Sequence, residues 1–493
     1  MENNVEKKDY DKSFFGQPQG LSTLFFTEMW ERFSYYGMKA ILLYYMYFSI
    51  SKGGLGINKT TAASIMAIYG SLVYLSSVLG GFLSDRIWGS RRTVFYGGIL
   101  IMFGHICLAL PFGKTALFLS ILLIIIGTGL LKPNVSEMVG TLYSRGDLRR
   151  DSGFTIFVFG INLGSLVAPL LVGFIGQNYN YHAGFSLAAI GMFFGLVQYV
   201  MGGRKYLSKD SLYPNNPLEP GDAKRTTGYT VTGAIGFLLI LLLMKVMGGL
   251  SLDNFISLLS IIVLITPVVY FVIMLTSKKV TKEERSRVWS YIPLFIAAAV
   301  FWAIEEQGSV VLALFAGDQT QNNFLGFTIP ASWYQSLNPL FILIYTPIFA
   351  ILWTKLGKKQ PSSPAKFSYG LVLAGISYLI MVLPVSLYGP KALVSPLWLV
   401  GSWAVVEIAE LLISPIGLSV TTKLAPRAFQ SSMMSMWFLA DSAGQAVNSQ
   451  IIKFYTPDTE IQYFAIVGIV SIIFGIVLAF FAKPIKKLMA GVK

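Results

Sequence analysis

Apolar stretches of about 20 residues or more alternate along the chain with short polar loops. They lie near residues 21–48, 60–85, 93–111, 116–141, 153–175, 183–203, 228–248, 253–276, 288–315, 333–353, 367–385, 396–420, 430–452 and 463–482. An α-helix needs about 20 apolar residues to cross the hydrocarbon core of a bilayer. The pattern therefore predicts an all-α, polytopic membrane protein with fourteen transmembrane helices.

Composition supports a membrane protein. Only 13% of the 493 residues are charged, against about 25% in soluble domains, and mean hydropathy is +0.63. Residues 1–20 are mostly polar and lack a short apolar region followed by a small-residue cleavage site. We therefore expect them to form a cytoplasmic N-terminal tail instead of a removed signal peptide.

The positive charges fall on alternate loops of this helical pattern. Of the 38 Lys and Arg residues, five lie in the loops predicted to be outside and four lie inside apolar segments, which leaves 29 on the other side. The five are Lys52, Lys59, Lys114, Lys391 and Lys453, and the four are Arg32, Lys39, Lys132 and Lys245. Loops rich in Lys and Arg face the cytoplasm. We therefore expect both termini to be cytoplasmic, and the net charge of +14 to reflect orientation in the cell membrane instead of nucleic-acid binding.

A basic connector divides the chain. Residues 204–227 contain three prolines and five basic residues, and a second basic stretch spans 278–287. Two apolar segments lie between them. We expect an N-terminal six-helix bundle (21–203), cytoplasmic linkers with an inserted helical hairpin (204–287), a C-terminal six-helix bundle (288–482) and a cytoplasmic tail (483–493).

The first apolar segment carries four ionisable side chains. Glu28, Arg32, Tyr35 and Lys39 fall on one helical stripe, with Glu31 beside it. One charge near the bilayer centre costs at least ~2.5–3.5 kcal/mol. Lipid cannot solvate such a stripe, so it must face a bundle interior or a water-filled cavity. The segment thus indicates a polar path through the membrane.

The sequence does not favour an enzyme, a metal site or a bound cofactor. It has one cysteine, Cys107, which excludes an intramolecular disulfide, and two histidines, His105 and His182, that fit no metal-ligand spacing. No nucleophile elbow is present. A channel is a further alternative, but intramembrane charges spread over many helices fit alternating access between two halves better than a single-file pore.

Several motifs resemble known transporters. Residues 81–92, GFLSDRIWGSRR, are similar to the loop after the second helix in the major facilitator superfamily. Residues 28–37 (EMWERFSYYG), 127–134 (GTGLLKPN) and 157–166 (FVFGINLGSL) together resemble the proton-dependent oligopeptide transporter family. The resemblance covers nearly the whole chain. It implies the major facilitator fold and proton-coupled uptake of di- and tripeptides, with another zwitterion or drug transporter of the same superfamily as the alternative.

A dipeptide is a zwitterion, so a cavity that accepts many side chains must bind its two ends. The resemblance assigns the carboxylate to Lys39 with Lys132 nearby, and the ammonium to Glu410. Asn162 and Asn338 supply amides for the peptide bond. Because Asn162 lies between Gly160 and Gly164 in an apolar segment, we expect it to be a buried amide that needs partners. The aromatic walls are expected from Tyr35, Tyr36, Tyr74, Trp302 and Trp437.

Proton coupling needs carboxylates whose pKa differs between conformations. Glu28, Glu31 and Arg32 form one candidate switch. The resemblance implies that Glu306 pairs with Lys39 in the absence of peptide. The neighbouring Glu305 points about 100° away on an ideal helix, so we expect only one of the two to face the cavity.

Two positions depart from the family pattern. Lys39 stands where most members have Arg, which keeps the charge but loses the two-pronged grip on a carboxylate. Asp441 stands four residues after Trp437, where a small polar residue is usual, and is either a further titratable group or a partner for a nearby cation. The expected partners are peptides, protons and the lipid bilayer, and the expected state is a monomer.

Overall fold

A computed structural model of the protein describes residues 13–144, 147, 149–214, 216–324 and 326–491. Residues 1–12 of the predicted N-terminal tail and residues 492–493 of the predicted C-terminal tail lie outside this range. The first eight helices are α1 (Gln19–Tyr47), α2 (Lys59–Leu83), α3 (Ser90–Ala109), α4 (Gly113–Thr141), α5 (Arg150–Asn178), α6 (Tyr181–Tyr206), α7 (Pro220–Val246) and α8 (Leu252–Thr276).

The remaining helices follow the same order as the predicted apolar segments. They are α9 (Lys282–Glu305), the short α10 (Val311–Asp318), α11 (Leu337–Leu356), α12 (Ser363–Tyr388), α13 (Leu397–Leu424), α14 (Gln430–Ile451) and α15 (Glu460–Leu488). The strands β1 (Asn323–Phe324) and β2 (Phe327–Thr328) form a small antiparallel ribbon after α10. The predicted all-α class is confirmed.

The helices form two bundles of six with an inserted pair. In the first bundle α1 packs against α5 and α6, and α4 packs against α2 and α3. In the second, α12 packs against α13 and α15, and α9 packs against α14. Close packing depends on small residues: a Cβ on Gly164 of α5 would lie 2.3 Å from the carbonyl oxygen of Met29 in α1.

The bundles meet along α2 with α14 and along α5 with α11. At the first contact Ser71 and Ser442, both fully buried, each donate a hydroxyl to the other's carbonyl oxygen, at 2.8 and 2.7 Å. The inserted pair differs in burial. Helix α8 packs on α2 and α14, whereas the apolar window of α7 has no buried residue. A lipid-facing surface is the physical reason that α7 can be apolar on every side.

Twelve helical spans of the described residues are long and apolar enough to cross a bilayer. Helices α1 and α14 are not among them. Helix α1 carries its four ionisable side chains, and α14 is rich in Ser, Gln and Asn. Both are packed inside the protein, where such polar side chains find partners that lipid cannot offer.

The predicted segment 288–315 is one span but not one helix. Helix α9 ends at Glu305, a 3₁₀ turn covers Glu306–Ser309, and α10 resumes at Val311. The turn contains Gly308, whose Cβ position would lie 2.1 Å from the Trp403 ring. Glycine weakens a helix interior and permits this close approach. The interruption falls at the adjacent pair of glutamates.

Candidate functional site

The first polar group of the site lies within α1. Arg32 Nε is 3.3 Å from Glu28 Oε1 and also contacts Glu31 Oε2, and all three side chains are at least 97% buried. The guanidinium lies 5.1 Å from the Tyr35 ring centroid and 5.8 Å from that of Tyr36. Two carboxylates thus share one cation. Helical spacing explains the contact of Glu28 with Arg32, because residues four apart lie on one face, whereas Glu31 is the sequence neighbour of Arg32.

A second pair joins the two bundles. Lys39 Nζ of α1 lies 2.8 Å from Glu306 Oε2, in the turn after α9, and the side chains are 8% and 13% exposed. The charges compensate each other in an environment that water reaches poorly. Because the partners belong to different bundles, the pair can only persist while this side of the two bundles is together.

A carboxylate cluster lies in the C-terminal bundle. Oxygen atoms of Glu305, Glu407 and Glu410 all lie within 4.8 Å of one another. The Asn338 amide donates to Glu305 Oε1 at 2.7 Å and to Glu407 Oε1 at 2.8 Å. No Lys or Arg pairs with these three carboxylates among the described residues. Such a cluster attracts a cation, either a metal ion or an organic ammonium group.

The pair and two members of the cluster, Glu305 and Glu410, border one cavity of about 110 Å³ between the bundles. Its lining is polar and aromatic: Tyr36, Lys39, Tyr74, Trp302, Glu305, Glu306, Ser309, Gln335, Asn338, Pro339, Trp403 and Glu410. Eight of the residues predicted for the site, Lys39 among them, are therefore in the lining. The cavity presents a cation on the α1 side and carboxylates on the side of the C-terminal bundle.

Glu305 and Glu306 both border the cavity, so the expectation that only one would do so is wrong. The reason is the end of α9 at Glu305, after which the helical spacing of 100° no longer applies. Each carboxylate has its own partner. Glu305 accepts from Asn338, and Glu306 accepts from Lys39.

Four predicted peptide-binding residues lie outside the lining. Tyr35 is 3% exposed and lies against the charges of α1, with Lys39 Nζ 5.9 Å from its ring centroid. Trp437 is 6% exposed and packs edge-on against Trp302, with ring centroids 6.4 Å apart. The rings of Tyr35 and Trp437 thus pack behind the side chains that line the cavity.

Lys132 and Asn162 are the other two. Lys132 Nζ lies 4.0 Å from the ring centroid of Tyr74, which itself borders the cavity. Asn162 is partly exposed, and its amide donates to Val158 O in its own helix at 3.0 Å. The expectation of a buried amide in need of distant partners is therefore wrong for Asn162, because a residue four positions earlier satisfies it.

Sequence reasoning missed the residue that anchors the turn after α9. Gln307 is fully buried, donates to Asn448 Oδ1 at 2.9 Å, and accepts from the hydroxyls of Tyr378 and Tyr463 at 3.0 and 2.9 Å. These bonds fix the turn that carries Glu306. The only sequence signal was an amide followed by Gly308 in an apolar segment.

Asp441 is 3% exposed, and its Oδ1 accepts from the Gln445 amide at 2.7 Å. The observed partner is therefore an amide one turn along α14. Lys132 is close enough for its charge to act on Asp441, but the two do not form an ion pair among the described residues.

Comparisons with known proteins agree with this architecture. The model of the POT family, the proton-dependent oligopeptide transporters, matches residues 91–469. A di-/tripeptide transporter of Lactococcus lactis subsp. cremoris is 54% identical over 494 residues, which cover 98% of this chain and 99% of the relative.

Two solved structures are also similar. A peptide transporter POT in complex with sulfate has a TM-score of 0.94 at 51% identity, covering 99% of this chain and 100% of that one. A POT family transporter in complex with 5-aminolevulinic acid has a TM-score of 0.90 at 44% identity, covering 96% and 98%. The fold is thus the major facilitator fold with an inserted helical pair, and the protein is a transporter and not an enzyme. The family match and the near-complete coverage establish that the chain belongs to the POT family.

Proposed function

We propose that the protein takes up di- and tripeptides together with protons across the cytoplasmic membrane by alternating access. The observation that carries this proposal is the cavity between the bundles, where Lys39 and Glu410 border the same space. The name of the Lactococcus relative, a di-/tripeptide transporter, supports the substrate class.

Binding of the peptide ends follows from the charges in the cavity. The termini of an extended dipeptide lie roughly 5–7 Å apart. Lys39 binds the carboxylate, and Glu410, within the carboxylate cluster, binds the ammonium group. Asn338 contributes an amide near the peptide bond, while Lys132 and Asn162, outside the lining, act on the substrate only after the cavity widens.

Aromatic walls explain how one cavity accepts many side chains. Tyr36, Tyr74 and Trp302 border the cavity, and amphipathic rings pack against apolar groups while offering a polar edge. The indole nitrogen of Trp302 is buried and has no hydrogen-bond partner among the described residues. It is therefore available to donate to a peptide carbonyl. Tyr35 and Trp437 support these rings from behind.

Proton coupling arises from competition for Lys39. With no peptide bound, Glu306 pairs with Lys39 at 2.8 Å. A peptide carboxylate that takes over Lys39 leaves Glu306 without a counter-charge, which favours its protonation. Glu305, the cluster member next to Glu306 in sequence, adds a second negative charge near Glu306.

The α1 group acts as a second switch. Protonation of Glu28 or Glu31 releases Arg32 from one of its two partners, so the charge of the group depends on the proton supply. The membrane potential supplies enough free energy to drive this uptake. One charge moving through ~100 mV yields about 2.3 kcal/mol, which is roughly a fifty-fold substrate gradient.

The distribution of Lys and Arg supports a multi-pass orientation with both termini in the cytoplasm. A monomer suffices for this mechanism, since one chain encloses the whole cavity. A second candidate substrate class is a non-peptide zwitterion. It is favoured by the solved POT family transporter that is in complex with 5-aminolevulinic acid.

The test is uptake of radiolabelled dialanine into proteoliposomes with an inward proton gradient and an inside-negative potential. We expect accumulation that a protonophore abolishes and that tripeptides compete, whereas free alanine does not. Competition by 5-aminolevulinic acid but not by tripeptides would favour the second class. Absence of accumulation by folded, inserted protein would overturn the proposal.

A further inference from the structure

A groove lies where α9 begins and α15 ends, at the opposite end of α9 from the residues that line the central cavity. It has a volume of about 410 Å³ and is lined by Lys282, Arg285, Ser286, Trp289 and Leu488. The Ser286 hydroxyl donates to Leu488 O at 2.9 Å and so ties the two helices together beside the groove. The groove is therefore formed by α9 and α15, which this hydrogen bond holds together.

The two cations of the groove have no acidic partner within the described part of the chain. The nearest glutamates are engaged elsewhere: Glu283 pairs with Arg287 at 2.6 Å, and Glu284 caps the start of α9. Arg285 donates to the carbonyl oxygen of Ser277 at 3.4 Å, and its buried Nε has no hydrogen-bond partner among the residues that the structure describes. Lys282 and Arg285 thus leave positive charge directed at the groove.

Below the cations, the helices present an apolar surface. Trp289 is 55% exposed on α9 and is followed two turns later by the exposed Ile296. On α15, Phe481 and Leu488 are also exposed. Tryptophan is enriched where a membrane protein meets the headgroup region of the bilayer. The surface therefore changes from basic through aromatic to apolar, which complements an acidic phospholipid from its headgroup to its acyl chain.

We propose that this groove binds an acidic phospholipid, with its phosphate between Lys282 and Arg285 and an acyl chain along Trp289. Basic clefts between helices on the cytoplasmic side suit anionic headgroups, and Arg gives the phosphate a two-pronged hydrogen bond. A free phosphate would use the cations but leave the aromatic and apolar wall without a partner. The lipid is therefore the occupant that matches both parts of the groove.

The test is native mass spectrometry of the full-length protein extracted from vesicles of phosphatidylcholine with one part in ten of phosphatidylglycerol. We expect the wild-type protein to retain phosphatidylglycerol in preference to phosphatidylcholine. The Lys282→Gln/Arg285→Gln variant should retain at least roughly tenfold less phosphatidylglycerol, since each cation near the membrane surface contributes to the attraction. Millimolar inorganic phosphate should not displace the lipid.

The matched control is Lys278→Gln/Lys279→Gln, which removes the same charge from exposed positions of the same segment outside the groove. Its lipid retention should stay within about twofold of wild type. If the double variant fails to fold, the exposed Lys282→Gln substitution alone replaces it, with a loss of about threefold. Equal retention of both lipids, an unaffected groove variant, equal losses in variant and control, or displacement by phosphate would each overturn the proposal.

Discussion

The two halves of the site handle negative charge in opposite ways. In α1, Glu28 and Glu31 share the guanidinium of Arg32, and Lys39 brings this helix to two carboxylates and two cations. In the C-terminal bundle, three carboxylates gather around the single amide of Asn338 and, among the residues that the structure describes, form no ion pair with a Lys or Arg. The difference indicates that the second half is built to receive positive charge, as a proton or an ammonium group.

The Lys39–Glu306 pair connects these two regions. Its cation comes from the balanced helix, and its carboxylate lies next to the acidic cluster. A buried pair that loses one partner leaves an uncompensated charge, which is strongly unfavourable. In the proposed mechanism, the pair is therefore the contact through which peptide and proton in one half affect the other.

The largest effect is expected from Lys39→Gln, which removes the Lys39–Glu306 ion pair between the two bundles. Dialanine uptake should fall on the order of 100-fold, because Glu306 and the peptide carboxylate both lose their cation. Lys39→Arg should retain uptake, since the charge stays. The control is Lys59→Gln, which breaks the 2.6 Å pair with Asp318 on the exposed surface between the bundles. An exposed pair contributes about 1 kcal/mol or less, so Lys59→Gln should change uptake little. Equal losses of uptake in Lys39→Gln and Lys59→Gln would contradict a special role for the Lys39–Glu306 pair.

Glu410→Gln tests the acidic side. A charge-assisted hydrogen bond contributes about 1.5–3 kcal/mol, so the affinity for dialanine should fall roughly 10- to 100-fold. Competition by unlabelled dialanine measures the change. A dipeptide analogue that lacks the amino group should bind the variant and the wild type alike. If the variant discriminates as strongly as wild type between dialanine and that analogue, Glu410 does not bind the ammonium group.

Asn338→Ala tests the role of the amide group that donates to both Glu305 and Glu407. Glu305 and Glu407 would both lose a buried hydrogen bond, and each unsatisfied group costs about 1–3 kcal/mol. We expect a lower melting temperature in detergent. Neutralising one neighbour at the same time, in Asn338→Ala/Glu407→Gln, should recover part of the loss. A double variant less stable than Asn338→Ala would show that the unsatisfied carboxylate of Glu407 does not cause the loss of stability.

The smallest effect is expected from Glu407→Gln. Glu407 is fully buried and does not border the cavity, so dialanine affinity should stay within about threefold of wild type. The melting temperature should stay equal or rise, because one of three like charges is removed. Loss of affinity as large as in Glu410→Gln would mean that the cluster binds substrate as one unit.

The sequence predicts the charged group of α1 far better than the carboxylate cluster of the C-terminal bundle. Apolar length predicts the helices, and spacing within α1 predicts that Glu28 and Arg32 meet, because both features are local. The cluster brings together Glu305, Asn338 and Glu407 from three helices, which no spacing reveals. The 3₁₀ turn at Glu306 was also missed, since the tertiary bonds of Gln307 hold it.

Positions in the wall were only partly predictable for the same reason. Tyr36 borders the cavity while Tyr35 lies behind it, although both belong to one motif. Asn162 was expected to be buried, but a local bond satisfies it. Motifs indicate which residues gather at the site, and packing decides which of them face the substrate.

The most direct test of the account separates proton-driven accumulation from substrate exchange in Glu31→Gln. This substitution removes a titratable partner of Arg32 and keeps the shape of the side chain. In proteoliposomes, we predict that the variant loses accumulation of dialanine against a gradient but still exchanges internal for external dialanine at a rate close to wild type. Accumulation that persists at the wild-type level would contradict the role of the α1 group in proton coupling.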